Sequence, residues 1–138
     1  MKELNFDTGL VTYSINGKYE LTFNPTDSAF VERFFTAFNT LDEKRGEYEE
    51  RIKGATNAQI FAVSRELDAE MREVINSVFD TDICSVLFGD MNVFALAGGL
   101  PVWANLFFAV MDEIDGNFAQ QQKLTNPRIA KYTSKYHK

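Results

Sequence analysis

Apolar and polar positions alternate through Leu10-Val-Thr-Tyr-Ser-Ile15 and Lys18-Tyr-Glu-Leu-Thr-Phe23, two β-rich runs separated by Asn16-Gly17. Asn-Gly readily supplies the two positive φ angles of a type I′ turn, so the pattern predicts a β-hairpin over 9–24. A two-residue loop sets Ser14 opposite Tyr19, Thr12 opposite Leu21 and Leu10 opposite Phe23 on one face. The other face then pairs Tyr13 with Glu20 and Val11 with Thr22. Both faces are mixed in that register. Since a lone two-stranded hairpin is marginal in water, it must lean on helices or pair its edge with another chain.

The period changes after Pro25-Thr26-Asp27, which ends the strand and offers an N-cap. Val31, Phe34, Phe38, Leu41, Arg45, Tyr48 and Ile52 recur at spacings of three and four, predicting a long helix over 27–53 whose one charged seam position is Arg45. Gly54-Ala55-Thr56-Asn57 breaks it, with Gly54 at the end of one helix and Thr56 or Asn57 capping the next. A second helix over 58–80 repeats the spacing with Ile60, Val63, Leu67, Met71, Val74 and Val78, so the two form an antiparallel helical hairpin. Phe30 and Phe35 flank the first seam and Ile75 and Phe79 the second, a stripe wide enough to require a third helix over it. Asp82 caps a short helix over 82–88 that Gly89 ends, and 90–99 reads as irregular. Gly98-Gly99-Leu100-Pro101 opens the last main helix, 101–119, with Pro101 in the first helical position. Val102, Trp103, Leu106, Phe107, Phe108, Val110, Met111 and Ile114, with Phe118 at its end, make that helix apolar nearly all round. The fold class is therefore α+β, mainly α: an N-terminal β-hairpin followed by a bundle of three to four helices. No internal repeat or second domain is visible, so 1–122 reads as a single globular domain followed by an arm, 123–138.

Charge separates the same two regions. Residues 1–122 hold all 20 acids against nine Lys/Arg, a net of −11, whereas 123–138 holds Lys123, Arg128, Lys131, Lys135 and Lys138 with no acid, a net of +5. An acidic body repels phosphate backbones, and five charges on a short end bind nucleic acid weakly, so no nucleic-acid partner is expected. No membrane partner is expected either: the longest apolar stretch, Leu100 to Met111, falls short of the roughly 20 residues of a span. Residues 1–15 lack a secretory pattern, which points to the cytoplasm.

Candidate chemistry is sparse. One Cys and one His supply neither a zinc cage nor a nucleophile relay. Cys84, within Ile-Cys-Ser-Val-Leu-Phe, reads as a buried inert thiol. Asp80, Asp82 and Asp90 miss the calcium-loop spacing, since Ser85 stands where glycine is needed and Met91 where glutamate is. They read as helix caps. Asp112, Glu113 and Asp115 read as the solvated end of a helix, Gly98-Gly99 as a capping turn without the lysine of a phosphate loop, and His137 as a solvated terminal side chain. No cofactor is called for.

Aromatic load is the feature that stands out: thirteen Phe, five Tyr and one Trp, 14% of the chain. Stripes wider than one helix contact imply that some Phe face a partner across an apolar interface. The arm, Asn126-Pro127-Arg128-Ile-Ala-Lys-Tyr132-Thr-Ser-Lys-Tyr136, reads as extended, with Ile129, Tyr132 and Tyr136 at helix-like spacing. That is the pattern of a docking segment that orders on binding.

The hairpin with its Asn-Gly turn, the acidic helical hairpin, Leu87-Phe88-Gly89-Asp90, the apolar helix opened by Gly-Leu-Pro, and the closing Arg128-Ile-Ala-Lys-Tyr-Thr-Ser-Lys-Tyr136 together resemble small tail-region proteins of long-tailed phages and prophages. Among these the chain is most similar to the tail assembly chaperones. The resemblance implies a non-enzymatic protein of the host cell cytoplasm. Such a protein coats the tape measure protein, brings tail tube protein to it, and is usually absent from the finished virion. A longer product made by ribosomal frameshifting is also usual in such families. They carry no invariant catalytic set. By position, Phe34, Phe35, Phe38 and Leu41, with Trp103 and Phe107, are the candidates for tape-measure contact or homo-oligomer formation, and Lys131, Tyr132 and Tyr136 for recruitment. Two other readings compete: a virion structural or tail-completion protein that adds its hairpin edge to a neighbour, and a small acidic phage-encoded inhibitor of a host protein.

Overall fold

A computed structural model of the chain describes residues 1–124 and 127–136. It is α+β and mainly helical, with an N-terminal antiparallel hairpin ahead of five helices among the described residues. The hairpin is β1 (Val11–Ile15) and β2 (Tyr19–Phe23), followed by α1 (Ser28–Arg51), α2 (Asn57–Phe79) and α3 (Ile83–Phe88). A two-residue-strand ribbon, β3 (Leu96–Ala97) and β4 (Leu100–Pro101), precedes α4 (Val102–Lys123) and α5 (Arg128–Tyr136).

The hairpin register differs from the expected one by a single residue. Asn16 and Gly17 both take positive φ, 52° and 66°, and the Lys18 amide donates to the Ile15 carbonyl at 2.9 Å. Lys18 is then an extra residue in the loop, and pairing begins at Ile15↔Tyr19 and continues through Tyr13↔Leu21 to Val11↔Phe23. Because side chains alternate with period two, this shift sorts the faces that the two-residue loop would have mixed. Ile15, Tyr19, Tyr13, Leu21, Val11 and Phe23 share one face. Thr12 and Thr22 are paired on the other, their hydroxyls 2.8 Å apart, beside Ser14 and Glu20. The apolar face lies on the helices: Leu21 and Phe23 are buried, and Phe23 stacks on Phe30 of α1 at 4.4 Å.

Local signals set the helix ends. Asp27 caps α1 by accepting the Ala29 amide at 3.0 Å, and Thr56 with Gln59 forms a reciprocal capping box on α2. Asp82 accepts the Ser85 amide and hydroxyl at the start of α3, which holds its carboxyl below the usual range. Asp80 closes α2 in the left-handed conformation at φ 53°. Cys84 is fully buried on α3.

Three further segments depart from expectation. Gly98-Gly99, both at positive φ, turn the β3–β4 ribbon and do not cap α4, and Pro101 is the residue before its first turn. The last main helix continues to Lys123, past 119, through Gln120-Gln-Gln-Lys123, all good helix formers, and within it the Asn117 side chain donates to the Glu113 carbonyl at 2.7 Å. The arm is not extended over 128–136 but helical, and begins where the Lys131 amide reaches the Pro127 carbonyl at 2.9 Å. His137 lies outside the described residues.

Long-range polar contacts hold the loop before α4. Arg72 of α2 donates to the carbonyls of Gly89 at 2.8 Å and Met91 at 2.7 Å, while its neighbour Asp68 accepts the Val93 amide at 2.8 Å. Asn92 reaches back to Ser64 at 2.7 Å. Buried side chains from the hairpin and from α1, α2, α3 and α4 then join in one cluster.

The register yields a prediction. Deleting Lys18 leaves Asn-Gly as a two-residue loop that still places Ile15 opposite Tyr19, so urea unfolding should shift by less than about 1 kcal/mol. Deleting Ser14 puts Tyr13 and Ile15 on opposite faces and should cost about 1.5–3 kcal/mol, the burial of one large side chain. Equal effects of the two deletions would contradict the register argument.

Candidate functional site

The aromatic side chains of α1 and α4 meet in a layer between the two helices. Phe34 stacks on Phe107 at 4.7 Å, and Phe38 lies 6.0 Å from Trp103 and 6.2 Å from Phe107, so the helices run in opposite senses. Phe34, Phe107, Trp103 and Leu41 are buried in the core. Folded in this way, they offer no surface to another molecule. The Trp103 indole N–H has no acceptor among the described residues, at a cost of about 1–3 kcal/mol that the burial of its large ring offsets.

One helical step outward the layer reaches the surface. Phe35 keeps 38% of its area exposed, Phe38 is half-buried, and Phe38 meets the exposed Phe108 at 5.9 Å. Along α1 the flank runs Val31, Phe35, Phe38 and Asp42 at spacings of four and three. Along α4 it runs Phe108, Met111, Asp115 and Phe118 in the same manner. Phe108 and Phe118 are also 38% exposed. The flank is therefore apolar along its length, anchored below by buried rings and interrupted by carboxylates.

Of the residues singled out from sequence, the structure gathers Phe34, Phe35, Phe38, Trp103 and Phe107 into this layer, with Leu41 in the same core. Lys131 and Tyr132 are exposed on α5, with the Lys131 ammonium 5.9 Å from the centre of the Tyr132 ring. The Tyr136 side chain lies outside the described residues. Phe108 and Phe118 complete the flank and were not among the candidates. Their signal is positional: Phe108 falls off the stripe of Trp103, Phe107, Val110 and Ile114 that faces the core, and Phe118 continues that stripe one turn beyond Ile114.

Charge around the flank is mostly negative. Asp42 and Glu49 hold Arg45 at 2.8 and 2.9 Å, whereas Glu32, Asp112 and Asp115 are exposed and form no ion pair among the described residues. On the opposite side of α4, burial and then the Glu113 carboxylate raise the Tyr13 hydroxyl above its ordinary range, and Asn117 donates to it at 3.3 Å. Among the described residues no group of three His, Cys, Asp or Glu could hold a metal ion, and no helix is long and apolar enough to cross a membrane. Burial pushes the Cys84 thiol up to about 11.

Two outcomes follow. Phe34→Ala should lower unfolding free energy by about 3–5 kcal/mol in urea titration, and Phe35→Ala by less than about 1 kcal/mol, since only the first empties the core. At pH 8 the folded Cys84 stays protonated and enclosed, so an aromatic disulfide reagent should label it no faster than the chain opens. Instant labelling would place the thiol at the surface. Comparison of the chain with protein-family models, with curated proteins and with solved structures finds no match.

Proposed function

We propose that this protein is a non-enzymatic tail assembly chaperone of a long-tailed phage or prophage, that it shields the tape measure protein in the host cytoplasm and helps recruit tail tube subunits, and that it works as a homo-oligomer. The observation that carries the reading is the half-exposed aromatic flank of α1 and α4 on an acidic body. A tape measure protein is a long amphipathic helix that aggregates unless its apolar face is covered before the tube encloses it. A flank built on two helices accepts such a face by ridge-and-groove packing. Its rings are partly covered already, so releasing the partner re-exposes limited apolar area and shielding stays reversible. The net negative body keeps the complex soluble and repels nucleic acid.

One observation favours a second reading. Among the described residues β1 and β2 pair only with each other, which leaves outer edges for a neighbouring strand. A virion structural or tail-completion protein would use them.

The deciding experiment is capture by the tagged full chain from its own producing cell, with partners identified by mass and washed at low and high salt. A very long helical phage protein retained at high salt is the expected result. Phe35→Asp with Phe108→Asp should lower that capture at least about tenfold while the melting temperature holds. Stoichiometric presence in finished particles would favour the structural reading. A host protein lost as salt rises would replace both with an acidic inhibitor.

A further inference from the structure

We propose that α5 of one copy docks, apolar face down, on the aromatic flank between α1 and α4 of a second copy. The proposal deepens the self-association part of the reading above and rests on it. Both halves of the contact are visible in one chain, and the apolar side chains of both are exposed there. On α5, Ile129 is 81% and Tyr132 45% exposed, one helical turn apart on the same side of the helix. On the flank, Phe35, Phe108 and Phe118 stand exposed to the same degree as one another.

Charge selects the pairing. The segment 123–138 carries five basic residues and no acid, while 1–122 is acidic by eleven charges. Locally, Lys131 and Lys135 sit on α5, and the flank offers the exposed carboxylates of Glu32, Asp112 and Asp115. A short amphipathic helix with apolar anchors three residues apart and cations beside them fits an apolar groove edged by acids, by the helix-in-groove mode. The same charges drive encounter between copies and weaken with salt. A second copy is the occupant because it brings this helix at the concentration of the protein itself. Reciprocal exchange of two such arms makes the contact twice in a closed pair.

The test uses the purified full-length protein. An equal mixture of nitrogen-14 and nitrogen-15 chains is joined by a zero-length carbodiimide and the linked peptides are weighed, alongside sedimentation velocity. Mixed-isotope links from Lys131 or Lys135 to Asp112, Asp115 or Glu32 are expected, with a species larger than the monomer. Ile129→Ser with Tyr132→Ser should weaken association at least about tenfold with an unchanged melting temperature. Lys131→Glu with Lys135→Glu should associate with Asp112→Lys, Asp115→Lys chains better than either variant associates with itself. Same-isotope links alone would mean the arm folds onto its own body, and would overturn the proposal. So would a monomer at every concentration, or an oligomer indifferent to the α5 substitutions. A monomer that still captures the tape measure protein would sink this contact and spare the chaperone reading, and an α5-dependent oligomer that captures nothing would do the reverse.

Discussion

Everything else in the structure depends on the stacking of Phe34 against Phe107. This pair, 4.7 Å between ring centres, is where the last long helix is fastened to the helical hairpin. It extends through Phe30 at 6.1 Å and Phe23 at 4.4 Å into the β-hairpin, and on the other side reaches Trp103 at 6.3 Å. One run of rings therefore passes through hairpin, α1 and α4. Aromatic side chains bury more area than aliphatic ones and set a wider separation between helix axes. The layer of rings shapes the surface as well as the core: Phe34 and Phe107 are enclosed in it, while Phe35, Phe38, Phe108 and Phe118 keep part of their area outside.

The parts of the fold legible in sequence are those fixed by local chemistry. Asp27, Thr56 and Asp82 mark helix starts because each satisfies backbone amides a few residues on. The hairpin is legible for the same reason, but its register is not settled by the turn alone. Asn-Gly favours a two-residue loop, yet Val11, Tyr13 and Ile15 must share a face with Tyr19, Leu21 and Phe23, and only an odd number of loop residues permits that. The buried face overrides the turn preference, and Lys18 is the residue displaced into the loop. The cue lies in the parity of the apolar positions, which outweighs the preference of the dipeptide.

Contacts between residues far apart in sequence were not legible. Nothing local marks Arg72 as the donor to the 89 and 91 carbonyls, or Asn92 as the partner of Ser64, because each depends on where α2 places the loop. The candidate site was half legible for a related reason. The chain displays which positions are aromatic, but Phe34 and Phe35 differ by one residue and end on opposite sides of the packing boundary. Which one is buried depends on where α4 lies, and that is fixed by Phe107. A stripe wider than one contact thus announces an outward-facing aromatic without naming it. Likewise, Ile129 and Tyr132 were legible as one face, in a segment that reads as extended. In the structure Pro127 starts α5, since a proline carbonyl accepts a helical bond as well as any other.

The distribution of charge gives these apolar surfaces their direction. Uniformly neutral flanks of this size would pair with any exposed apolar surface, including each other, and hydrophobic burial alone cannot discriminate among partners. Carboxylates at Glu32, Asp112 and Asp115 make two flanks repel face to face, whereas a basic amphipathic helix is attracted to either. Exposed ion pairs add little affinity, on the order of 0–1 kcal/mol each, so the rings supply the binding and the acids choose what binds. It follows that a helix arriving at this flank must carry its cations beside its apolar face. That condition applies equally to α5 and to a foreign helix, and the two would compete for the same surface.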